Sequence, residues 1–195
     1  MVVAGLLFLA FAYFAVGQAA VNRNGAQTAA DAAALAAAQE TRDGLADQWV
    51  RDVLDPSKWR NIFDGAGVTL PDPCWRASEL AAQNDAHVDN CSPQGLRFAV
   101  RVQTNRTLGS SVVPGTSQRR SHADAVAEIE PLCTFELPEG DPGEGDPGDD
   151  EGADPAEGAV LPSLTCDEGR VWELDPEQLG DLPGPEDLFD VHLAD

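Results

Sequence analysis

Leu96-Arg97-Phe98-Ala99-Val100-Arg101-Val102-Gln103-Thr104 alternates strictly between apolar and polar side chains. Leu96, Phe98, Val100 and Val102 share one face, while Arg97, Arg101 and Gln103 share the other. A period of two belongs to a strand with one face buried and one in water. Downstream, Ala123-Asp-Ala-Val-Ala-Glu-Ile-Glu130 alternates as well, with Asp124, Glu128 and Glu130 outward. The outward charges of the two segments are opposite in sign. They predict an antiparallel ladder in which Arg97 and Arg101 face those acids. Cys133, Phe135 and Leu137 continue the pattern beyond Pro131, which marks a bend or an edge position. Between the strands, Asn105 to Ser121 is a long connection with room for one short strand. Further on, Val171–Leu174 and Leu188–Leu193 read as short strands that return to the same domain.

Upstream, Ala26 to Glu40 is dominated by alanine, the residue with the highest helix propensity. The helix extends through Leu45, Trp49 and Val53, an i, i+4, i+8 apolar row, and Asp55-Pro56 ends it. Ala26, Ala29, Ala30, Ala33 and Ala37 form a small-residue face that permits close approach by another element. The abundance of alanine in the chain accounts for that face equally well.

The first residues, Met1-Val-Val-Ala-Gly-Leu-Leu-Phe-Leu-Ala10-Phe-Ala-Tyr-Phe-Ala-Val16, carry no charge, and none follows until Arg23. Each Leu, Phe or Val contributes roughly −0.3 to −0.6 kcal/mol to bilayer insertion, and a helix of ~20 residues matches the hydrocarbon thickness. The segment therefore reads as a transmembrane anchor. The alternative is a cleaved signal peptide that releases a secreted binding or adhesion module. Against it stand the long apolar run, the missing basic n-region and a poor cleavage site at Gly17-Gln18-Ala19.

Cys74, Cys91, Cys133 and Cys166 all follow the anchor. An even count in an exported domain reads as two disulfides, with three possible pairings, of which neighbours in sequence are the simplest. Zinc is the competing reading, but no CxxC occurs, and His87 with Cys91 has no second pair to match it. Disulfides place the body of the protein outside the cytoplasm.

Thirty-four acidic residues against twelve basic ones give a formal charge of −22, concentrated in the last sixty residues, where Arg170 is the one base. Such a chain repels phosphate backbones and anionic membrane surfaces, so nucleic acid is excluded as a partner. Gly140 to Gly152 repeats Gly, Asp, Pro and Glu and buries nothing, so it reads as a solvated linker. The carboxylates lack EF-hand spacing for calcium. No nucleophile elbow, P-loop or His-Glu-x-x-His is present, and His87, His122 and His192 are scattered. Cys133 with His122 would serve as nucleophile and base only if the thiol were free. The chain is expected to be no enzyme, with no catalytic residue, metal site, cofactor or small-molecule substrate.

The segment Asn24-Gly25-Ala26-Gln27-Thr28-Ala29-Ala30-Asp31-Ala32-Ala33-Ala34-Leu35, directly after an apolar helix, resembles the signature of the TadE/TadG-like Flp pilus-assembly family, with Gln27, Ala29, Ala30, Asp31, Ala32, Ala33, Ala34 and Leu35 as its core. The remainder, with Val112-Val-Pro-Gly115, Glu130-Pro-Leu-Cys133 and Asp187–Asp195, is similar to TadG-related proteins of high-GC Gram-positive bacteria. The resemblance implies a bitopic protein of a tight-adherence pilus system, with the bilayer and other pilus-assembly membrane proteins as partners. A prepilin-peptidase site wants Glu five residues after Gly5, where this chain has Ala10, so the resemblance implies an assembly accessory rather than a pilus subunit. The expected fold is α+β: a transmembrane helix at 1–21, an alanine-rich helix at 22–55, an extracytoplasmic domain at 56–137 with a small antiparallel sheet, a linker at 138–160, and returning strands at 161–195.

Overall fold

Fifty residues without a proline form one continuous helix, α1 (Val2–Arg51). The computed structural model describes residues 2–107, 119–137, 161–177 and 179–194. Among the described residues, which leave out the side chains of 14–16, 18 and 19, no helix is long and apolar enough to cross a membrane. The helix stops at Arg51, four residues before the expected Asp55: the Asp52 amide makes the last i→i−4 bond, to the Gln48 carbonyl at 3.0 Å, and the chain then tightens into a turn closed by the Asp55 amide on the Asp52 carbonyl at 2.9 Å. Pro56 then opens α2 (Pro56–Phe63), where its missing N–H costs nothing. α3 (Cys74–Gln83) follows, its first amide held by the Asp72 carboxylate at 3.0 Å. After it come β1 (Ala86–Gln94), β2 (Arg97–Thr107), β3 (Arg120–Pro131), β4 (Cys133–Thr134), β5 (Leu164–Cys166), β6 (Val171–Trp172), α4 (Pro185–Leu188) and β7 (Phe189–Leu193). The acidic linker at 138–160 and the Val112–Gly115 stretch lie outside the described residues.

The chain divides into two compact units. One comprises Met1–Thr41, Pro71–Ile129 and Val191–Asp195. Its sheet has the order β1-β2-β3-β7. β2 and β3 pair antiparallel with Arg97 opposite Glu128 and Arg101 opposite Asp124, and both pairs close as ion pairs, as their alternation predicts. The inward row, Phe98, Val100 and Val102 with Ala123, Ala125, Ala127 and Ile129, is buried. Leu96 departs from expectation. It sits half-buried in the two-residue turn after Gly95, whose φ of 59° suits a hairpin turn with glycine at its first central position. Among the described residues of this unit, Thr104 is the one buried polar side chain: its hydroxyl accepts from the Ser121 amide and donates to the Arg106 carbonyl, where the β2–β3 register shifts. A disulfide between Cys74 and Cys91, Cα atoms 5.9 Å apart, ties the start of α3 to β1.

The other unit comprises Arg42–Leu70 and Glu130–Asp190. Its core is aromatic. Trp49 lies tilted at 58° against Trp59 with centroids 5.6 Å apart, Trp59 meets Phe135 edge-on at 5.3 Å, and Phe63 bridges Phe135 and Phe189. These residues come together because Trp59, Ile62 and Phe63 lie at i, i+3 and i+4 on α2. The small sheet β4-β5-β6 is pinned by the second disulfide, Cys133 to Cys166, which are register partners. Asp187 closes α4 by accepting from the Gly184 amide at 3.0 Å and from Arg170 at 2.6 Å.

Lys58 links the end of α1 to α2 by bonds to Asp52 at 2.8 Å and Asp55 at 3.2 Å. The Lys58 bond, then that of Gln48, hold Asp52 below its ordinary 3.8. The Ser57 hydroxyl, then Lys58, do the same for Asp55, and Asp52 raises Lys58 above its ordinary 10.5. Lowered carboxylates contribute stability above their unfolded value and lose it as pH falls through the acid range; raised Lys58 contributes below 10.5 and loses it above. Lys58→Met is therefore expected to flatten the acid limb of the melting temperature against pH below about pH 4. An unchanged limb contradicts this, and solvent screening keeps the effect small.

Candidate functional site

The signature residues lie midway along α1, and their burial follows the helical period. Ala26, Ala29, Ala30, Ala33 and Ala37 are fully covered, so the small-residue face is a packing face and not merely a composition effect. Ala34 is buried too, Asp31, Ala32 and Leu35 are half-buried, and Gln27 is exposed. Alanine on the helix and alanine at Ala123, Ala125 and Ala127 on β3 keep the layers of this unit thin, because each side chain adds only a methyl group. The two polar members act as a clip. The Gln27 amide donates to Asp31 Oδ1 at 2.7 Å one turn on, and to the Asp124 carbonyl of β3 at 3.3 Å. Gln27 thus joins α1 to the sheet, which spacing alone does not reveal.

Such a face tolerates no bulk. Ala33→Leu is expected to destabilise the chain by about 1–3 kcal/mol, since a close-packed layer must move to admit it. Thr28→Leu, on the exposed side of the same turn, should stay within about 0.5 kcal/mol. Denaturant melts of the two variants make the comparison, and equal midpoints would refute the packing role.

N-terminal to the clip, α1 presents large apolar side chains that no described element covers: Leu6, Phe8, Phe11 and Tyr13 are all more than 60% exposed. Scattered apolar residues are ordinary on a surface, but a contiguous run marks an interaction site for lipid or protein.

The four cysteines are all bonded, so the thiol of Cys133 is not available to His122 as a nucleophile. Among the described residues, no group of three or more His, Cys, Asp or Glu side chains is placed to hold a metal ion. The structure does bring together what the sequence leaves scattered. His87, Gln103 and His122 stand opposite one another on β1, β2 and β3, and Asp89 reaches both histidines, at 3.4 and 3.1 Å. The signal was the strand register, which needed β1 to be recognised.

Residues 1–40, the apolar run and the clip together, match the Flp pilus-assembly TadE/G-like family. No curated protein and no solved structure matches the chain.

Proposed function

We propose that this chain is a non-enzymatic, single-pass membrane protein that serves as an accessory or structural component in the assembly of Flp-type pili, with both disulfide-bonded units outside the cytoplasm. The observation that carries this reading is the family match over residues 1–40, which falls on one continuous helix. The first part of that helix shows uncovered apolar side chains, and the sequence stays uncharged to Arg23. This supports an anchor at residues 1–21. Two disulfides support an oxidising compartment. The partners in this reading are the bilayer and other membrane proteins of the pilus apparatus, and the signature residues Gln27, Ala29, Ala30, Asp31, Ala32, Ala33, Ala34 and Leu35 support the role by holding the anchor helix to the sheet.

Fractionation tests the topology. The full-mass protein is expected to remain with membranes after a carbonate wash, whereas a shorter form in the medium would establish a released module instead. Deletion of the gene tests the role: surface pili should fall in number or length. Pili unchanged in both would overturn the assembly reading.

A further inference from the structure

The outer face of the β1–β2–β3 sheet carries a chain of polar contacts that the assembly role does not use. Arginine only donates, so the Gln103 atom facing the Arg120 guanidinium at 3.2 Å is the amide oxygen. The Gln103 NH2 then points at His122 Nε2, 2.9 Å away, and that nitrogen must offer a lone pair. The single ring proton of neutral His122 therefore sits on Nδ1, where it is donated to Asp89 Oδ2 at 3.1 Å. Every bond runs in one direction, from the cation of Arg120 through Gln103 and His122 to the carboxylate of Asp89, an order in which successive dipoles reinforce each other.

We propose that this chain is an acid-operated latch across the three strands. A second proton on His122 has to go to Nε2, where it meets the Gln103 NH2, donor against donor. Gln103 relieves the conflict by turning its amide over. Its oxygen then accepts from His122 Nε2–H, its NH2 faces the Arg120 guanidinium, again donor against donor, and the bond from Gln103 to Arg120 at the start of β3 is released. His122 is half exposed, so a proton reaches it from solvent. Histidine is the side chain that exchanges its proton between about pH 5 and 8.

The charges around the latch come from every strand of the sheet. β1 supplies Asp89 and His87, whose Nδ1 lies 2.9 Å from Asn105 Oδ1. β2 supplies Arg101, which is bonded to Asp124 of β3 and also feels the charge of Asp89. Arg120 lies on β3 itself, and β7, the strand on the far side of β3, carries Asp190 and His192.

The test is NMR on the 15N-labelled full chain in detergent, following the histidine ring nitrogens and the Gln103 side-chain amide from about pH 8 to pH 4. Neutral His122 is expected as the Nδ1–H tautomer, and the Gln103 amide should shift with the same midpoint as the His122 ring. In Arg120→Met nothing opposes the turned amide, so Gln103 should reverse at a higher pH than in the wild type, while neutral His122 stays the Nδ1–H tautomer because the Asp89 carboxylate still accepts that proton. Neutral His122 as the Nε2–H tautomer, or a Gln103 amide that stays still while His122 titrates, would overturn the latch. The wild-type measurement decides alone, so a variant that folds poorly does not shelter the proposal.

Discussion

Reduction of the full chain is expected to unfold it or bring it to the edge of unfolding at room temperature. Cys74–Cys91 closes 17 residues and Cys133–Cys166 closes 33. Loop-closure entropy assigns about 3 kcal/mol to the first and about 4 kcal/mol to the second. Together they rival the whole net stability of an ordinary domain, about 5–15 kcal/mol. The demand is real in the first unit, where much of the buried row is alanine and each methyl removes little area from water. Melting curves with and without reductant measure the effect, and thiol counting on denatured, unreduced protein checks the premise. Four free thiols in that sample would defeat it. Cys74→Ala should expose Cys91 as a single reactive thiol.

Trp59→Ala is expected to cost about 3–5 kcal/mol, the range for removing a large aromatic side chain from a core. Trp59 is fully buried, touches both Trp49 and Phe135, and donates its indole N–H to the Asp52 carbonyl at 3.2 Å. Its removal leaves a cavity and takes away one of the two hydrogen bonds that the Asp52 carbonyl accepts, the other coming from the Asp55 amide at 2.9 Å. Trp75, 53% exposed on α3 with the Arg76 guanidinium over its ring, is the control, and Trp75→Ala should change stability by no more than about 0.5 kcal/mol. Denaturant titrations of the two variants give the difference directly. Equal midpoints would mean that the aromatic cluster is not the core of the second unit.

The elements legible from sequence are those whose pattern outlasts a few residues. β2 and β3 announce themselves because each alternates over seven or more positions, and Arg97 and Arg101 on one outer face lie opposite Glu128 and Asp124 on the other in the observed register. The row Leu45, Trp49 and Val53 is buried as its spacing implies. β1 escapes because His87-Val-Asp-Asn-Cys-Ser-Pro93 has no alternation: a register shift between Val88 and Asn90 interrupts its face. Its strand character comes from pairing with β2 and from the tie to Cys74. β4, β5 and β6 hold two or three residues each, too few to display any period. The same blindness hid the histidine row, which exists only once three strands are aligned. Gln27 and Asp31 were visible as signature positions, but their work on the Asp124 carbonyl depends on a strand almost a hundred residues away.

Pairing each cysteine with its neighbour in sequence also determines how the bonds are made. If the body is exported as proposed, emerging in order from the N-terminal anchor, Cys74 and Cys91 meet the oxidant while Cys133 and Cys166 are still on the far side. At that moment only one bond is available, and it is the native one. When the second pair emerges, the first is closed, so again there is no rival. Biogenesis in this order needs an oxidant but no isomerase to unscramble mispaired thiols, and a host with a sparse oxidative-folding machinery can complete the molecule without kinetic traps.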